Sequence, residues 1–405
     1  LKVIFVNRFY RPDTSATSQM LTDLAERLAG EGMQVVIVTS PMLYQDAAAR
    51  LPGREDCDGV AVHRVVTTRF GRRNLVGRAL DYASFYFSAT VRLCLLVRRG
   101  DTVVAKTDPP LISIPCALVA AIRGARLVNW LQDIYPEVAE RLGVGRPLRA
   151  AFPVLRRLRN WSLHRAATNV VIGSAMRRFL LTQGVERRRI RTIPNWAPHA
   201  GATPDPQQVA EFRARAQVTG RFVAMYSGNL GRAHDPAAIL QAARSLRDDT
   251  DIVFLLIGGG AGMEVLARAA RQEGLANLRF LGYQERSQLP VSLAAGDVHV
   301  LSLLAPLEGV LLPSKLYGIL AAGKPFVFVG DEAGEIARFA RAAECGCAAA
   351  SGDRLAEQLR NLHRDPALRE RWGINARLQF VQRFTLDGNY RKWRAVLRDV
   401  PHLPD

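Results

Sequence analysis

Pro313-Ser-Lys-Leu-Tyr-Gly-Ile-Leu-Ala-Ala-Gly-Lys-Pro325, running into the apolar stretch Phe326–Val329, decides how this chain is read. A proline turn opens the segment, a short helical run follows, and Gly-Lys-Pro closes it ahead of a buried strand. The start of such a helix offers unpaired N–H groups and a positive dipole end, which suit a phosphate. Ser314 and Lys315 sit in that first turn. The chain has only five lysines (Lys2, Lys106, Lys315, Lys324 and Lys392), and two of them fall in this one segment. An ammonium on a flexible stem acts on phosphate as a point charge, which a planar guanidinium replaces imperfectly. An ordinary βα unit with surface lysines also accounts for the segment taken alone.

Upstream, three strand-like runs end in glycine. Phe222–Tyr226 leads into Ser227-Gly-Asn-Leu-Gly-Arg-Ala-His234, Ile252–Ile257 into Gly258-Gly-Gly260, and Leu278–Leu281 into Gly282-Tyr283. Glycine lets a backbone approach a phosphate closely, and Arg232 adds charge. Each could serve as a tight strand–helix turn on its own. Together with the Pro313–Pro325 element they point to a nucleotide site. Its candidate residues are Gly228, Asn229, Arg232, Gly258, Gly259, Tyr283, Ser314 and Lys315, with His234 a weaker one. No P-loop ending in Gly-Lys-Ser/Thr is present, and no Gly-x-Gly-x-x-Gly follows the first strand.

At 405 residues the chain is too long for one ordinary core. The first half alternates apolar strands (Lys2–Val6, Gln34–Thr39, Val60–Val66, Thr102–Ala105, Arg126–Leu131, Asn169–Ile172) with helices expected over Thr14–Gly30, Leu80–Arg98, Leu111–Ile122 and Arg149–Ala166. An acidic turn is expected at Glu55–Asp58. After Ala197–Pro206, which lacks apolar periodicity, a second alternating series begins. This pattern predicts an α/β fold of two Rossmann-like, doubly wound domains facing a cleft. The expected division is an acceptor-binding domain at 1–198, a linker at 199–220, a donor-binding domain at 221–385, and a final helix at 386–405 returning to the first domain.

Charge is distributed unevenly. Residues 1–200 hold 30 of the 55 Lys+Arg but only 15 of the 37 Asp+Glu. The densest stretch, Arg141–Arg191, interleaves arginines with Phe152, Leu155, Leu158 and Trp161, which fits an anionic membrane surface better than nucleic acid. An arginine-rich surface with no partner is the plainer alternative, but it leaves the near-neutral second half unexplained. No run reaches the roughly 20 apolar residues a spanning helix needs. Five scattered cysteines do not form a disulfide framework. The expectation is a cytoplasmic protein, peripheral on the inner face of the plasma membrane.

The ordered set of motifs resembles the retaining family 4 glycosyltransferases. In the second half it comprises Ser227–Gly231, Leu255–Gly260, Phe280-Leu-Gly-Tyr283, Glu308-Gly-Val-Leu-Leu-Pro313 and the opening segment. In the first half it comprises Tyr10-Arg-Pro12, Leu24-Ala-Glu-Arg-Leu28, Gly32–Thr39, Asp133-Ile-Tyr-Pro-Glu137 and Ile193-Pro-Asn-Trp196. The likeness is to the bacterial polysaccharide branch that includes fucosyl- and N-acetylfucosaminyl-transferases of O-antigen and capsule assembly. It implies a GT-B fold, a nucleotide diphosphate sugar donor, a lipid-linked saccharide acceptor, retention of configuration, and no cofactor or metal. The densest acidic run, Asp248-Asp249-Thr250-Asp251, precedes a strand, where a solvated turn is expected. The family's Glu-x7-Glu pair carries over in part. Glu308 matches the first glutamate, whose carboxylate would favour positive charge at the anomeric carbon. The second is absent, since its place falls on Leu316 or Gly318 depending on the anchor used.

On the acceptor side Asp133 is the candidate acid/base, although capping of the helix near Pro136 would equally use it. Thr14 and Ser15 would face the donor diphosphate or simply cap their helix. Asn195 and Trp196, just before the linker, would line the hinge or serve as ordinary core or turn residues. Two other readings remain: a nucleotide-sugar epimerase of similar fold, and a non-catalytic nucleotide-sugar-binding scaffold.

Overall fold

The computed structural model describes residues 2–44, 46, 49–71, 75–144, 146–197 and 204–398. His199, part of the expected linker and the end of the chain lie outside them. The chain divides into two compact units. One comprises Leu1–Pro194, Gly309–Leu311 and Leu386–Asp405; the other comprises Asn195–Glu308 and Leu312–Thr385.

The first unit is built on β1 (Lys2–Val6), β2 (Gln34–Thr39), β3 (Arg54–Cys57), β4 (Val60–Arg64), β5 (Thr102–Lys106), β6 (Arg126–Leu131), β7 (Thr168–Val171) and β8 (Ile190–Thr192). They lie in the order β3-β4-β2-β1-β5-β6-β7-β8, parallel throughout except that β3 is antiparallel to β4. Its helices are α1 (Ala16–Gly30), α2 (Leu75–Leu96), α3 (Ser113–Arg123), α4 (Glu137–Arg141), α5 (Phe152–Arg165) and α6 (Ser174–Thr182). Alternate residues of the central strands (Ile4, Val6, Val36, Val38, Val103, Ala105) pack against Phe85, Ala89 and Leu93 of α2 and Cys116, Ala117 and Ala120 of α3. Burial on both faces is why these parallel strands are nearly continuous apolar runs.

The second unit begins with α7 (Pro206–Arg215). Its sheet comprises β9 (Phe222–Asn229), β10 (Ile252–Gly259), β11 (Leu278–Leu281), β12 (Val298–Ser302), β13 (Phe326–Val329) and β14 (Gly346–Ala349). The order is β11-β10-β9-β12-β13-β14, all parallel. The remaining helices are α8 (Pro236–Ser245), α9 (Ala261–Glu273), α10 (Leu289–Ala294), α11 (Lys315–Ala321), α12 (Glu335–Ala342), α13 (Gly352–Arg364) and α14 (Pro366–Arg383). Along β9, Ala224 and Tyr226 join a core with α8, α9 and α13, while Val223 and Met225 join one with Phe212 of α7 and Val291 of α10.

Several sequence expectations are corrected. The acidic turn at Glu55–Asp58 is largely strand β3. The reversal is displaced to Asp58-Gly59, where both residues have positive φ (54° and 81°) and the Gly59 N–H bonds Asp56 Oδ1 at 2.9 Å. The stretch 199–220 contains α7, capped by Asp205 through the Gln207 N–H at 2.9 Å and anchored by buried Phe212. The helix expected from Arg149 begins at Phe152, after a 3-10 turn over Arg146–Ala151. Helix α2 starts five residues before the expected Leu80. The elements β8, β14 and α6, of three, four and nine residues, are too short to set up a clear periodicity.

The last helix, α15 (Leu386–Arg398), belongs to the first unit. Fully buried Trp393 lies with its ring centroid 4.5 Å from that of Trp130 in β6. Arg126 donates to the Leu397 carbonyl at 3.1 Å, and Arg394 pairs with Glu31 of α1 at 3.1 Å. Among the described residues no helix is long and apolar enough to cross a membrane. Truncating a buried indole removes its packing and leaves a cavity, so Trp393→Ala is expected to destabilise the first unit by about 3–5 kcal/mol. Denaturant unfolding followed by tryptophan fluorescence measures this; an unchanged midpoint would show that α15 adds nothing to that core.

Candidate active site

In the second unit the candidate residues gather where β9 and β10 end. Gly228 and Gly258 are not turn residues, as the sequence suggested, but paired strand residues, as are Asn229 and Gly259. Both Gly228 and Gly258 have positive φ (117° and 124°), and a Cβ on Gly258 would lie 2.4 Å from the Gly228 carbonyl oxygen. Only glycine allows this approach. The turn itself falls on Gly260, which opens α9. The exposed ring of Tyr283 lies over Gly259, where an added Cβ would be 3.0 Å from Cε2. Arg232 is exposed and makes no hydrogen bond or ion pair with another described residue.

Lys315, the first residue of α11, reaches back to this edge. Its Nζ donates to the Asn229 carbonyl at 3.0 Å, lies 3.1 Å from His234 Nε2, and is 5.2 Å from the centre of the Tyr226 ring. His234 Nδ1 is 2.6 Å from the Ser302 carbonyl. A carbonyl can only accept, so Nδ1 carries the proton, and Nε2 offers its lone pair to the ammonium. The imidazole is thus neutral, its pKa lowered to about 3 by burial and by the Lys315 charge. Burial also lowers Lys315, to about 8. The result is a half-buried ammonium whose position is fixed and to which no carboxylate among the described residues is bonded. Ser314 precedes the helix with its backbone already in the helical region and makes no side-chain cap.

Glu308 is half-buried, and its Oε1 accepts the N–H of Glu335 at 2.6 Å. The carboxylate therefore caps α12 from 27 residues away. A Cβ on Gly334 would meet the Asp331 carbonyl oxygen at 2.9 Å and Glu308 Oε2 at 2.8 Å, so the close backbone contact favours glycine there too. Desolvation raises the Glu308 pKa, and the Glu335 N–H opposes that rise.

In the first unit Asp133 follows β6, at the carboxyl end of its strand as expected. Its backbone forms an isolated antiparallel bridge with Leu311, next to the Ile134 N–H bond to the Val310 carbonyl at 2.8 Å. Burial, with the Asp108 charge adding to it, raises its pKa to about 7. Asp133 lines a small cavity with Thr107, Ser113, Tyr135 and Arg159. Glu137 is held by Arg159 at 2.8 Å and so is occupied structurally. Thr14 and Ser15 lie ahead of α1, not inside it. Ser15 makes no cap bond; its N–H bonds Asp13 Oδ1 at 2.9 Å, and Asp13 also takes the Tyr44 N–H, so Asp13 organises this loop. Asn195 and Trp196 are buried in the second unit.

The family model for glycosyl transferases group 1 matches residues 208–379, and that for the glycosyl transferase 4-like domain matches 15–196. The chain is 30% identical over 270 residues to the probable glycosyltransferase WbjE of Pseudomonas aeruginosa, covering 67% of each chain. The chain belongs to the family 4 glycosyltransferases. It is also 27% identical over 348 residues to the putative colanic acid biosynthesis glycosyl transferase WcaI of Escherichia coli K12, covering 82% of this chain and 84% of that one. A crystal structure of Anabaena Alr3699/HepE in complex with UDP-glucose superposes with a TM-score of 0.73 at 16% identity, over 98% of this chain and 100% of that one. The fold of this glycosyltransferase is accordingly GT-B.

Sequence reading undervalued His234 and missed Ser302, Glu335 and Arg159. The only signal for His234 was its place after Gly231-Arg232; its partners are 81 and 68 residues away in the chain. The ordinary histidine pKa is 6.5, and in the folded glycosyltransferase it is about 3. Between those values the unfolded chain binds the extra proton, so stability is lost as pH falls below 6.5. His234→Gln, which removes the titration, is expected to flatten the loss of stability between pH 6.5 and 4. Urea melts of both proteins across that range measure it; parallel curves would show that His234 is not held neutral.

Proposed function

We propose that this glycosyltransferase takes a nucleotide diphosphate sugar on its second unit and transfers the hexose or deoxyhexose, with retention, to a lipid-linked saccharide bound by its first unit, in bacterial surface polysaccharide synthesis. The observation that carries the reading is the Lys315 ammonium, fixed by the Asn229 carbonyl and neutral His234 beside glycine-ended strands. The diphosphate would lie there, against Gly228, Asn229, Arg232, Ser314 and Lys315, with Gly258, Gly259 and the Tyr283 ring offering backbone and a stacking face to the nucleoside. Holding the charge that grows on the leaving phosphate is the main catalytic device. Since Lys315 and Arg232 supply positive charge, no metal is required in this reading. Names borne by relatives, colanic acid biosynthesis and a UDP-glucose complex, support the same class of chemistry.

Transfer would be a front-face displacement. The acceptor oxygen bonds to the anomeric carbon on the side from which the diphosphate departs, and the acceptor proton passes to Asp133 or to the leaving phosphate oxygen. Glu308 would stabilise the positive charge at that carbon while still capping α12. The basic first unit would bring the acceptor half to the inner membrane surface.

Lys315→Ala is expected to abolish the thermal stabilisation that UDP, GDP, ADP or dTDP confers on the wild type in EDTA, with the apo melting temperature little changed. A variant that binds as the wild type does would remove Lys315 from the site. Because Asp133 acts deprotonated and Lys315 protonated, kcat/KM should rise through about pH 7 and fall above about pH 8. Asp133→Asn should erase the acid limb; a pH-independent rate would reject both roles. Glu308→Gln keeps an oxygen for the Glu335 N–H, so stability should hold while transfer drops about 10²–10³-fold, the scale of losing one preorganised electrostatic partner. Radiolabelled sugar transfer with parallel thermal melts separates the two.

A further inference from the structure

The outward side of α2 is apolar along its length. Its exposed residues include Val76, Leu80, Ala83, Phe87, Val91 and Leu95, at the three- and four-residue spacing of one helical stripe, and none of its charged side chains is fully exposed. Phe87 is 73% exposed and Leu95 70%. The opposite stripe, Phe85, Ala89 and Leu93, is buried in the core. A helix with two apolar sides belongs between two apolar surroundings, and among the described residues the fold supplies only one. The patch extends sideways, because α3 packs beside α2 and α5 beside α3. These neighbours add Leu118, Ile122, Leu158 and Trp161, all exposed. Phe70, also exposed, is stacked on the α2 backbone, where a Cβ on Gly77 would meet it at 2.4 Å.

The charges of this face all have one sign. The helices α2, α3 and α5 contain a single acid, Asp81, which is fully buried. It accepts from Arg8, the Thr68 hydroxyl and the N–H groups of Phe70 and Gly71, so it ties the loop bearing Phe70 to the helix. The exposed charges around the patch are Arg98, Arg99, Arg123, Arg157 and Arg165. In contrast, several arginines of the basic stretch 141–191 are paired with acids: Arg159 is buried on Glu137, which Arg156 also meets, and Arg188 and Arg189 make surface pairs with Glu186.

We propose that the face formed by α2, α3 and α5 docks in the plane of an anionic lipid bilayer, with Phe87 and Leu95 at the level of the acyl chains and the arginines at the phosphates. A second copy of the chain is a poor occupant, since two such faces would oppose arginine to arginine with no acid between them. The inference deepens the proposed function by naming the surface that meets the membrane, and it is tested without turnover.

The test is co-sedimentation of the full chain with vesicles of phosphatidylglycerol and phosphatidylethanolamine, against vesicles of phosphatidylcholine alone, at physiological salt. The wild type should pellet with the anionic vesicles, and Phe87→Asp/Leu95→Asp should partition at least tenfold less while keeping its melting temperature. Arg98→Glu/Arg99→Glu, whose positions are solvent-exposed, should also weaken anionic-vesicle binding and guards against a folding defect in the first variant. Brominated acyl chains should quench part of the tryptophan fluorescence in the wild type and not in Trp161→Phe. A wild type that stays in solution, or variants that pellet equally, overturns the proposal. A concentration-dependent dimer abolished by Phe87→Asp/Leu95→Asp, with no vesicle binding, also overturns it and makes a second copy the occupant. Nucleotide binding, read separately by thermal shift, tells the two ideas apart: vesicle binding without any nucleotide binding leaves the docking face standing and removes the donor site.

Discussion

The pairing of β9 with β10 out to Gly228–Gly258 and Asn229–Gly259 is the constraint on which the candidate donor site depends. Carrying two parallel strands past their apolar segments requires backbone conformations and approaches that a Cβ forbids, hence the glycines. Their extension fixes the Asn229 carbonyl, which takes one proton of the Lys315 ammonium. A second goes to His234, whose other nitrogen is held by the last residue of β12. Three neighbouring strands and the first turn of α11 are thereby coupled through one cation. The low-dielectric surroundings make that cation easier to neutralise, which is why its pKa falls, and also make it a stronger partner for any anion that arrives.

Much of this organisation is legible in the sequence, because parallel strands buried on both faces have to be written as apolar runs. Phe222–Tyr226, Ile252–Ile257 and Phe326–Val329 announce themselves in that way. What sequence reading loses are features that apolar content does not encode. Residues Gly228, Gly258 and Gly259 look like turns because glycine signals a turn by default, yet here it extends the strands. Strand β3 looks like an acidic loop because an edge strand has little to bury. Helix α7 hides in a linker because Phe212 is its main anchor to the core. The role of His234 cannot be read locally, since neither of its partners lies within 60 residues of it in the chain.

In the proposed mechanism Glu308 serves stability and transfer with one side chain. An unpaired carboxylate in a half-buried setting is costly, and the first N–H of α12 relieves the cost. That same bond orients one oxygen of the carboxylate. A carboxylate so restrained loses little freedom when it meets a developing charge, which is the property electrostatic preorganisation requires. The missing second glutamate of the family pattern also finds a physical context here. Its place is within α11, the helix that contributes Lys315, so a cation stands near where the pattern has an anion.

The first unit resolves a different conflict. A sheet covered on one side by α2, α3 and α5 should present a polar outer surface, yet α2 is closed by core on one side and left apolar on the other. Folding alone gives no reason to keep Phe87 and Leu95, because polar residues at those positions would bury nothing less and would remove an aggregation hazard. The same face is also purged of exposed acids, although the chain has 37 Asp+Glu to place. Apolar content and one-signed charge on a single face point to one kind of neighbour, since a bilayer interface accepts the first and anionic headgroups the second.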